Sequence, residues 1–400
     1  MTPFTQEQIH RQRWTILAVV SLAVFVTVLD GTIVNVALPT LSTTLDASTS
    51  QLQWIVDAYL LVFTGLLLAA GGLGDRYGRK RALLVGLVVF GATSAFAGLA
   101  GSADVLILGR ALMGIGAALI FPATLAILTN TFIDPGERAK AIGVWSAVSG
   151  IAVAAGPIIG GWLLEHFWWG SVFFVNVPLV ALLLVLSARI VPTSKDPNGH
   201  PLDPIGALLA VGGLVALVYA VIEGPENGWL SGTTLGVFAV AAVLLVSFVA
   251  WELRHRTPML DPRLFKHPGF GAGAAAVTFA FFSMFGMFFL LTQYLQFVKG
   301  YTPLAAGLRV LPNAVALILV APQAPKIVLR FGVRRVMRVG FWLTAAGFVL
   351  LSTTQESTSD LIVIASLLCT GTGMSLIMPG ASQHIVGALP LSKAGVGSAV

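Results

Sequence analysis

Charge is what this sequence has least of. Asp, Glu, Lys and Arg make up 10% of its 400 residues, against about 25% in an average soluble domain. So few polar side chains cannot cover a water-facing surface, which excludes a soluble globular protein. Cysteine is almost absent too: Cys369 stands alone, so no internal disulfide and no thiolate cluster can form. The six histidines, His10, His166, His200, His255, His267 and His384, are scattered, without zinc spacing, nucleophile elbow or phosphate loop. These absences argue against an enzyme, and no metal or cofactor is expected. The long apolar runs are unlike one another and offer no repeated polar ring, which argues against a channel.

What is present is apolar residue, 56% of the chain, with a mean hydropathy of +0.90. It comes in blocks long enough to cross a bilayer. Twelve spans are expected, near 14–38, 52–73, 82–101, 104–129, 141–164, 169–190, 205–222, 231–251, 270–297, 304–328, 336–354 and 360–387. The fold class is therefore an all-α polytopic membrane protein. Threading the spans from an inside amino terminus puts twenty of the 23 basic residues on the inner side. Only Lys299 lies outside, and Arg110 and Arg309 fall within spans. That asymmetry explains a pI near 9.7 through anionic lipid, without nucleic acid. No cleavable signal is expected, because the first run is too long, carries Asp30 and lacks a small-x-small site.

The chain repeats itself. GGLGDRYGRKRALLVG (71–86), between spans 2 and 3, matches KIVLRFGVRRVMRVG (326–340), between spans 10 and 11, with Gly78 on Gly332 and Gly86 on Gly340. GAALIFP (116–122) matches GMSLIMP (373–379). The offsets, 254 and 257, agree within one helical turn and indicate a duplicated bundle. The expected organisation is an N-terminal six-helix bundle over 1–190, two inserted helices over 191–265, and a C-terminal bundle over 266–400. Four of six helices are visible in that last bundle, so two further helices are expected beyond a truncated end.

Several stretches carry a family resemblance: LDGTIVNVALP (29–39), GGLGDRYGRKR (71–81), LILGRALMGIGAA (106–118), GIAVAAGPIIGG (150–161) and WWGSVFFVNVP (168–178). Together they resemble the fourteen-helix drug:proton antiporter branch of the major facilitator superfamily, multidrug exporters of the quaternary ammonium and methyl viologen type. Met113 stands where the span 4 motif usually has glutamine, and Leu329 where the second loop copy needs an aspartate. The resemblance implies a multi-pass protein of a bacterial inner or plasma membrane, with a cytoplasmic amino terminus. It implies efflux of lipophilic, mostly cationic drugs against a proton gradient by alternating access, the chain acting as a monomer. A proton-coupled transporter of another metabolite on the same scaffold, or an inactive fragment, is the competing expectation.

The candidate residues follow from cost. At 1.5 Å per residue, Asp30 lies roughly 24 Å along span 1, and Arg110 about 21 Å from the inner face of a 30 Å core. Opposite charges at similar depth should face a cavity and pair there. Burial disfavours the charged form of a carboxylate and a neighbouring arginine favours it, so such a group can change protonation as the cavity reopens. Asp30, Arg110 and the shallower Asp57 are the expected proton-coupling set. Gly74, Asp75, Arg76, Gly78 and Arg79 read as a conformational latch: a tight turn with a carboxylate able to take backbone amides and an arginine. In span 5, Gly150, Gly156, Pro157, Gly160 and Gly161 form the antiporter motif, small residues allowing close helix approach beside a proline bend. Asn35, Trp54, Tyr59, Phe285 and Gln293 are the expected substrate-cavity residues, since aromatic faces suit flat cations. Packing explains the same aromatic stripes equally well.

Overall fold

The computed structural model describes residues 6–195, 203–255, 258 and 261–387. They form helices and, among the described residues, no strand. The helices are α1 (Gln6–Thr44), α2 (Thr49–Tyr77), α3 (Arg79–Gly98), α4 (Ala103–Thr131), α5 (Pro135–His166), α6 (Ser171–Phe174), α7 (Asn176–Ile190), α8 (Pro204–Asn227), α9 (Gly232–Arg254), α10 (Pro268–Gln293), α11 (Pro303–Arg309), α12 (Leu311–Val320), α13 (Ala324–Phe331), α14 (Val333–Ser352) and α15 (Asp360–Gly387). Among the described residues, twelve stretches are long and apolar enough to cross a membrane. They coincide with the twelve expected spans, and the chain is a multi-pass membrane protein.

The sequence explains several helix starts. Ser48 opens α2 with a reciprocal capping box to Gln51, and Ser102, Asp203, Ser231 and Thr302 accept backbone N–H bonds at the starts of α4, α8, α9 and α11. Span 10 departs from expectation. The single helix foreseen over 304–328 is instead α11, α12 and α13. Pro312, Pro322 and Pro325 lack the N–H that a continuous helix needs, and a proline opens each new segment.

Two compact units emerge: Met1–Gly156 with His166–Met259, and Pro157–Glu165 with Leu260–Val400. The interval 191–265 carries α8 and α9, which belong to the first unit. There they pair with each other, and α8 leans on α2, where the indole of Trp54 donates to Glu223 (3.0 Å) and the Ser50 hydroxyl to Glu226 (3.0 Å). Hydrophobic clusters of the second unit gather α10, α11, α14 and α15 around residues such as Leu291, Ala306, Leu367, Ile377 and Ala381.

The duplication holds in three dimensions. Gly78 and Gly332 both adopt positive φ, +114° and +84°, where a side chain is disfavoured. Gly78 N–H donates to Gly74 O at 2.9 Å, and Gly332 N–H to Val328 O at 2.8 Å. A Cβ on Gly86 would lie 2.9 Å from Gly116 O and 2.9 Å from Ile120; one on Gly340 would lie 2.8 Å from Gly373 O and 2.9 Å from Ile377. Each unit thus reproduces the same helix crossing, with the partner residues at the two offsets read from the sequence. Gly86→Ala and Gly340→Ala should each destabilise the protein by about 1–3 kcal/mol through overpacking. Gly236→Ala, where nothing lies within 4 Å, should not. Thermal unfolding of the purified protein in detergent measures all three.

Candidate functional site

The polar centre of the first unit is built by six helices. α4 can pass close to its neighbours because glycines face them: a Cβ on Gly109 would meet Ala97 at 3.0 Å, on Gly114 Tyr59 O at 2.7 Å, and on Gly116 Phe90 N at 2.7 Å. This close seam is the physical content of LILGRALMGIGAA, and it delivers Arg110 between α1 and α2. Arg110 Nη1 donates to Asp30 Oδ2, and its Nε donates to the Ile55 carbonyl at 2.9 Å. The guanidinium lies 4.4 Å from the Tyr59 ring centre and 6.0 Å from that of Phe173. Asp30 Oδ1 accepts from Asn176 Nδ2 at 2.8 Å, and that amide also reaches Ser94 Oγ at 3.1 Å. Ser94 in turn donates to Phe173 O (2.8 Å), and the Tyr59 hydroxyl to Thr27 O (2.9 Å). Asp30, Arg110, Ser94 and Asn176 are all 0% exposed. A buried pair with both partners further hydrogen-bonded offsets its desolvation; either charge alone there is costly.

The structure brings Asp30 and Arg110 together and leaves Asp57 apart. Asp57 is half-buried, and two residues from Tyr59 its side chain leaves α2 about 160° away. Tyr59 belongs to the ion-pair shell, whereas Trp54 turns to Glu223 on α8. Asn35 is buried, and its Nδ2 donates to Gly31 O at 3.4 Å within its own helix. In the second unit a small cavity is lined by Met284, Met287 and Asn313 among others. Phe285, stacked on Phe281, and Gln293, bonded to Phe289 O at 3.1 Å, are not in its lining.

At the α2–α3 turn, Arg79 Nε binds Asp75 Oδ1 at 2.8 Å, its Nη1 reaches Ala126 O at 3.4 Å on α4, and its backbone N–H donates to Ser194 O at 2.9 Å. Asp75 thus pairs within its own turn and fastens it to α4, and Lys80 adds a bond to Ala188 O at 2.8 Å. Arg76 lies by the Tyr77 ring at 5.6 Å, and Gly74 meets only ordinary packing. On α5, a Cβ at Gly156 would collide with Thr32 Oγ1 of α1 in the first unit. In the second unit, one at Gly161 would lie 2.5 Å from Leu304 Cα, and Gly307 abuts the Pro157 carbonyl. Gly160 is buried, and Gly150 has nothing within 4 Å.

A family model described as Major Facilitator Superfamily matches residues 20–400. The chain belongs to that superfamily. Among its relatives, the multidrug efflux pump LfrA of Mycolicibacterium smegmatis is 38% identical over 97% of this chain and 77% of the relative. The methyl viologen resistance protein SmvA of Salmonella typhimurium is also 38% identical, over 97% of this chain and 79% of its own. The fold matches the peptide transporter POT in complex with sulfate at a TM-score of 0.72 and 16% identity, covering 99% of this chain and 88% of that one. It also matches a bacterial homologue of the human lysosomal transporter Spinster at 0.66 and 19% identity, over 96% and 78%.

Sequence reasoning missed Ser94 and Asn176 of this superfamily member. Asn176 lies inside WWGSVFFVNVP, so a polar letter in an apolar motif was its available signal. Ser94 carries no such signal. It missed as well the partner of Arg309, whose Nε binds Asp360 Oδ2 at 2.8 Å while Tyr301 donates to the same carboxylate at 2.8 Å. Arg110→Met, which strands Asp30 as a lone buried carboxylate, should cost about 3–5 kcal/mol. Asn176→Ala should cost about 1–3 kcal/mol, and adding Asp30→Asn to Arg110→Met should recover part of the loss. Unfolding midpoints of the purified variants measure each.

Proposed function

We propose that the protein is a membrane transporter rather than an enzyme, exporting lipophilic, mostly cationic drugs in exchange for protons by alternating access. The observation that carries this reading is the Asp30–Arg110 pair, wholly buried within two membrane spans and held by neutral partners on both sides. Ionisable groups at such depth line ion or proton pathways. Protonating Asp30 removes the charge that Arg110 neutralises, leaving the guanidinium to the Ile55 carbonyl and the Tyr59 ring. The protonated and ionised forms therefore stabilise different packings of α1, α2 and α4, and a cationic substrate favours the ionised one. Export and cationic substrates also draw support from relatives named as a multidrug efflux pump and a methyl viologen resistance protein.

The remaining parts take supporting roles in the same reading. The Asp75–Arg79 turn acts as a latch on the inner side, and the glycines of the Gly156–Gly161 stretch of α5 let neighbouring helices approach closely. The basic residues gathered on one side favour a cytoplasmic amino terminus in a bacterial inner membrane. The proton gradient is the energy source, with no cofactor, and the working unit is a monomer.

Ethidium accumulation in cells lacking their own efflux pumps tests the reading. Expression of the chain should lower accumulation, and a protonophore should abolish the difference. Asp30→Asn should remain in the membrane and lose uphill export. Gradient-driven export by that variant removes Asp30 from coupling, and accumulation equal to that of empty cells refutes drug export by this chain.

A further inference from the structure

Four rings of the first unit form an unbroken row that begins at the ion pair. Tyr59, whose ring centre lies 4.4 Å from the Arg110 guanidinium, stacks on Phe63 one turn further along α2 (6.1 Å, 11°). Phe63 meets Phe121 of α4 edge-on (5.7 Å, 77°), and Phe121 meets Trp145 of α5 (5.0 Å, 64°). Arg110 and Phe121 are three turns of α4 apart, so they share one face and lie about 16 Å from each other along the axis. Gly109 and Gly116, where α4 meets α3, lie on another face. Trp145 is 8% exposed, and its indole N–H donates to Thr124 Oγ1 at 3.3 Å. Phe63 and Phe121 are only half-buried and keep part of their surface open.

Closing the helix crossing does not require these rings, as the duplicated unit shows. A Cβ on Gly114 would lie 2.7 Å from Tyr59 O, and one on Gly371 would lie 2.6 Å from Asn313 O. These are matching positions at the two sequence offsets, so α2 and α4 cross as α12 and α15 do, backbone against backbone. At the second crossing Asn313, Leu317 and Met378 stand in place of Tyr59, Phe63 and Phe121. Leu317 and Met378 are half-buried as well. Leucine and methionine thus fill the same positions, and what the rings of the first unit add is flat, electron-rich surface. An aromatic face attracts positive charge and stacks on another flat ring. An isobutyl group or a thioether supplies apolar area without that face.

We infer that Phe63 and Phe121 are specificity-determining residues that select flat aromatic cations among the compounds the protein exports. This selection rests on the efflux reading and narrows it to one class of cation at two named side chains.

The test uses the full chain in lipid nanodiscs and equilibrium dialysis with two monovalent cations: ethidium, which is flat, and tetrabutylammonium, which has no flat face. Phe63→Leu and Phe121→Met, which copy the second crossing, should each weaken ethidium binding about three- to tenfold and leave tetrabutylammonium binding unchanged. Phe121→Tyr, which keeps the face, should bind ethidium as the unaltered protein does. Unchanged ethidium binding in both of the first two variants overturns the proposal and leaves drug export standing. Equal weakening of both cations reports lost packing and also overturns it. If tetrabutylammonium does not bind at all, Phe121→Tyr is the reference: weakening there equal to that in Phe121→Met overturns the proposal, and retention supports it. Failure of the unaltered protein to bind either cation removes the efflux reading, and the selection falls with it. Should one of the first two variants fail to fold, the other decides.

Discussion

A carboxylate and a guanidinium, both out of reach of water, set the terms for the first unit. Either one alone is intolerable in hydrocarbon; together they are stable only if their remaining hydrogen-bonding capacity is met nearby. That requirement accounts for an unusual set of neutral donors and acceptors converging from separate helices: Asn176 on Asp30, the Ile55 carbonyl and Tyr59 face on Arg110, and Ser94 behind Asn176. It also accounts for the glycines of α4, since the arginine reaches the aspartate only if α4 runs almost in backbone contact with α2 and α3. Packing and electrostatics are one constraint at this point, and a change in the charge of Asp30 must be felt through the whole crossing.

The charged members of this arrangement were legible because a charge in an apolar run has no ordinary explanation, and helix rise alone put Asp30 and Arg110 at one depth. Neutral polar residues lack that contrast, which is why Ser94 went unread and Asn176 was noticed only as part of a motif. Trp54, Tyr59 and Asp57 teach a different lesson. Proximity along α2 grouped them, but 100° per residue separates them: Tyr59 reaches Arg110, Trp54 reaches Glu223 on α8, and Asp57 points elsewhere. The three prolines of span 10 were visible as letters, and hydropathy, which ignores backbone hydrogen bonds, ran one helix through them.

The duplication preserves packing while letting chemistry diverge. Gly86 and Gly340 make the same approach to Gly116 and Gly373, because at a helix crossing that close any side chain would overpack. Charge is not kept. Leu329 and Val333 stand where Asp75 and Arg79 form their pair, and Leu367 stands where Arg110 does. Leu329 is 84% exposed, as expected of a position whose partner has gone. A buried ion pair thus sits at the crossing of the first unit, and the position of Arg110 in the matching crossing of the second is held by Leu367.

The central claim is that occupancy by substrate and protonation of Asp30 are mutually linked. The most direct measurement is proton release on addition of ethidium to purified protein in a weakly buffered solution containing a pH indicator. The account predicts release from the unaltered protein and none from Asp30→Asn, with ethidium still binding to the variant. Equal release from both proteins, or binding to the unaltered protein without any release, contradicts it.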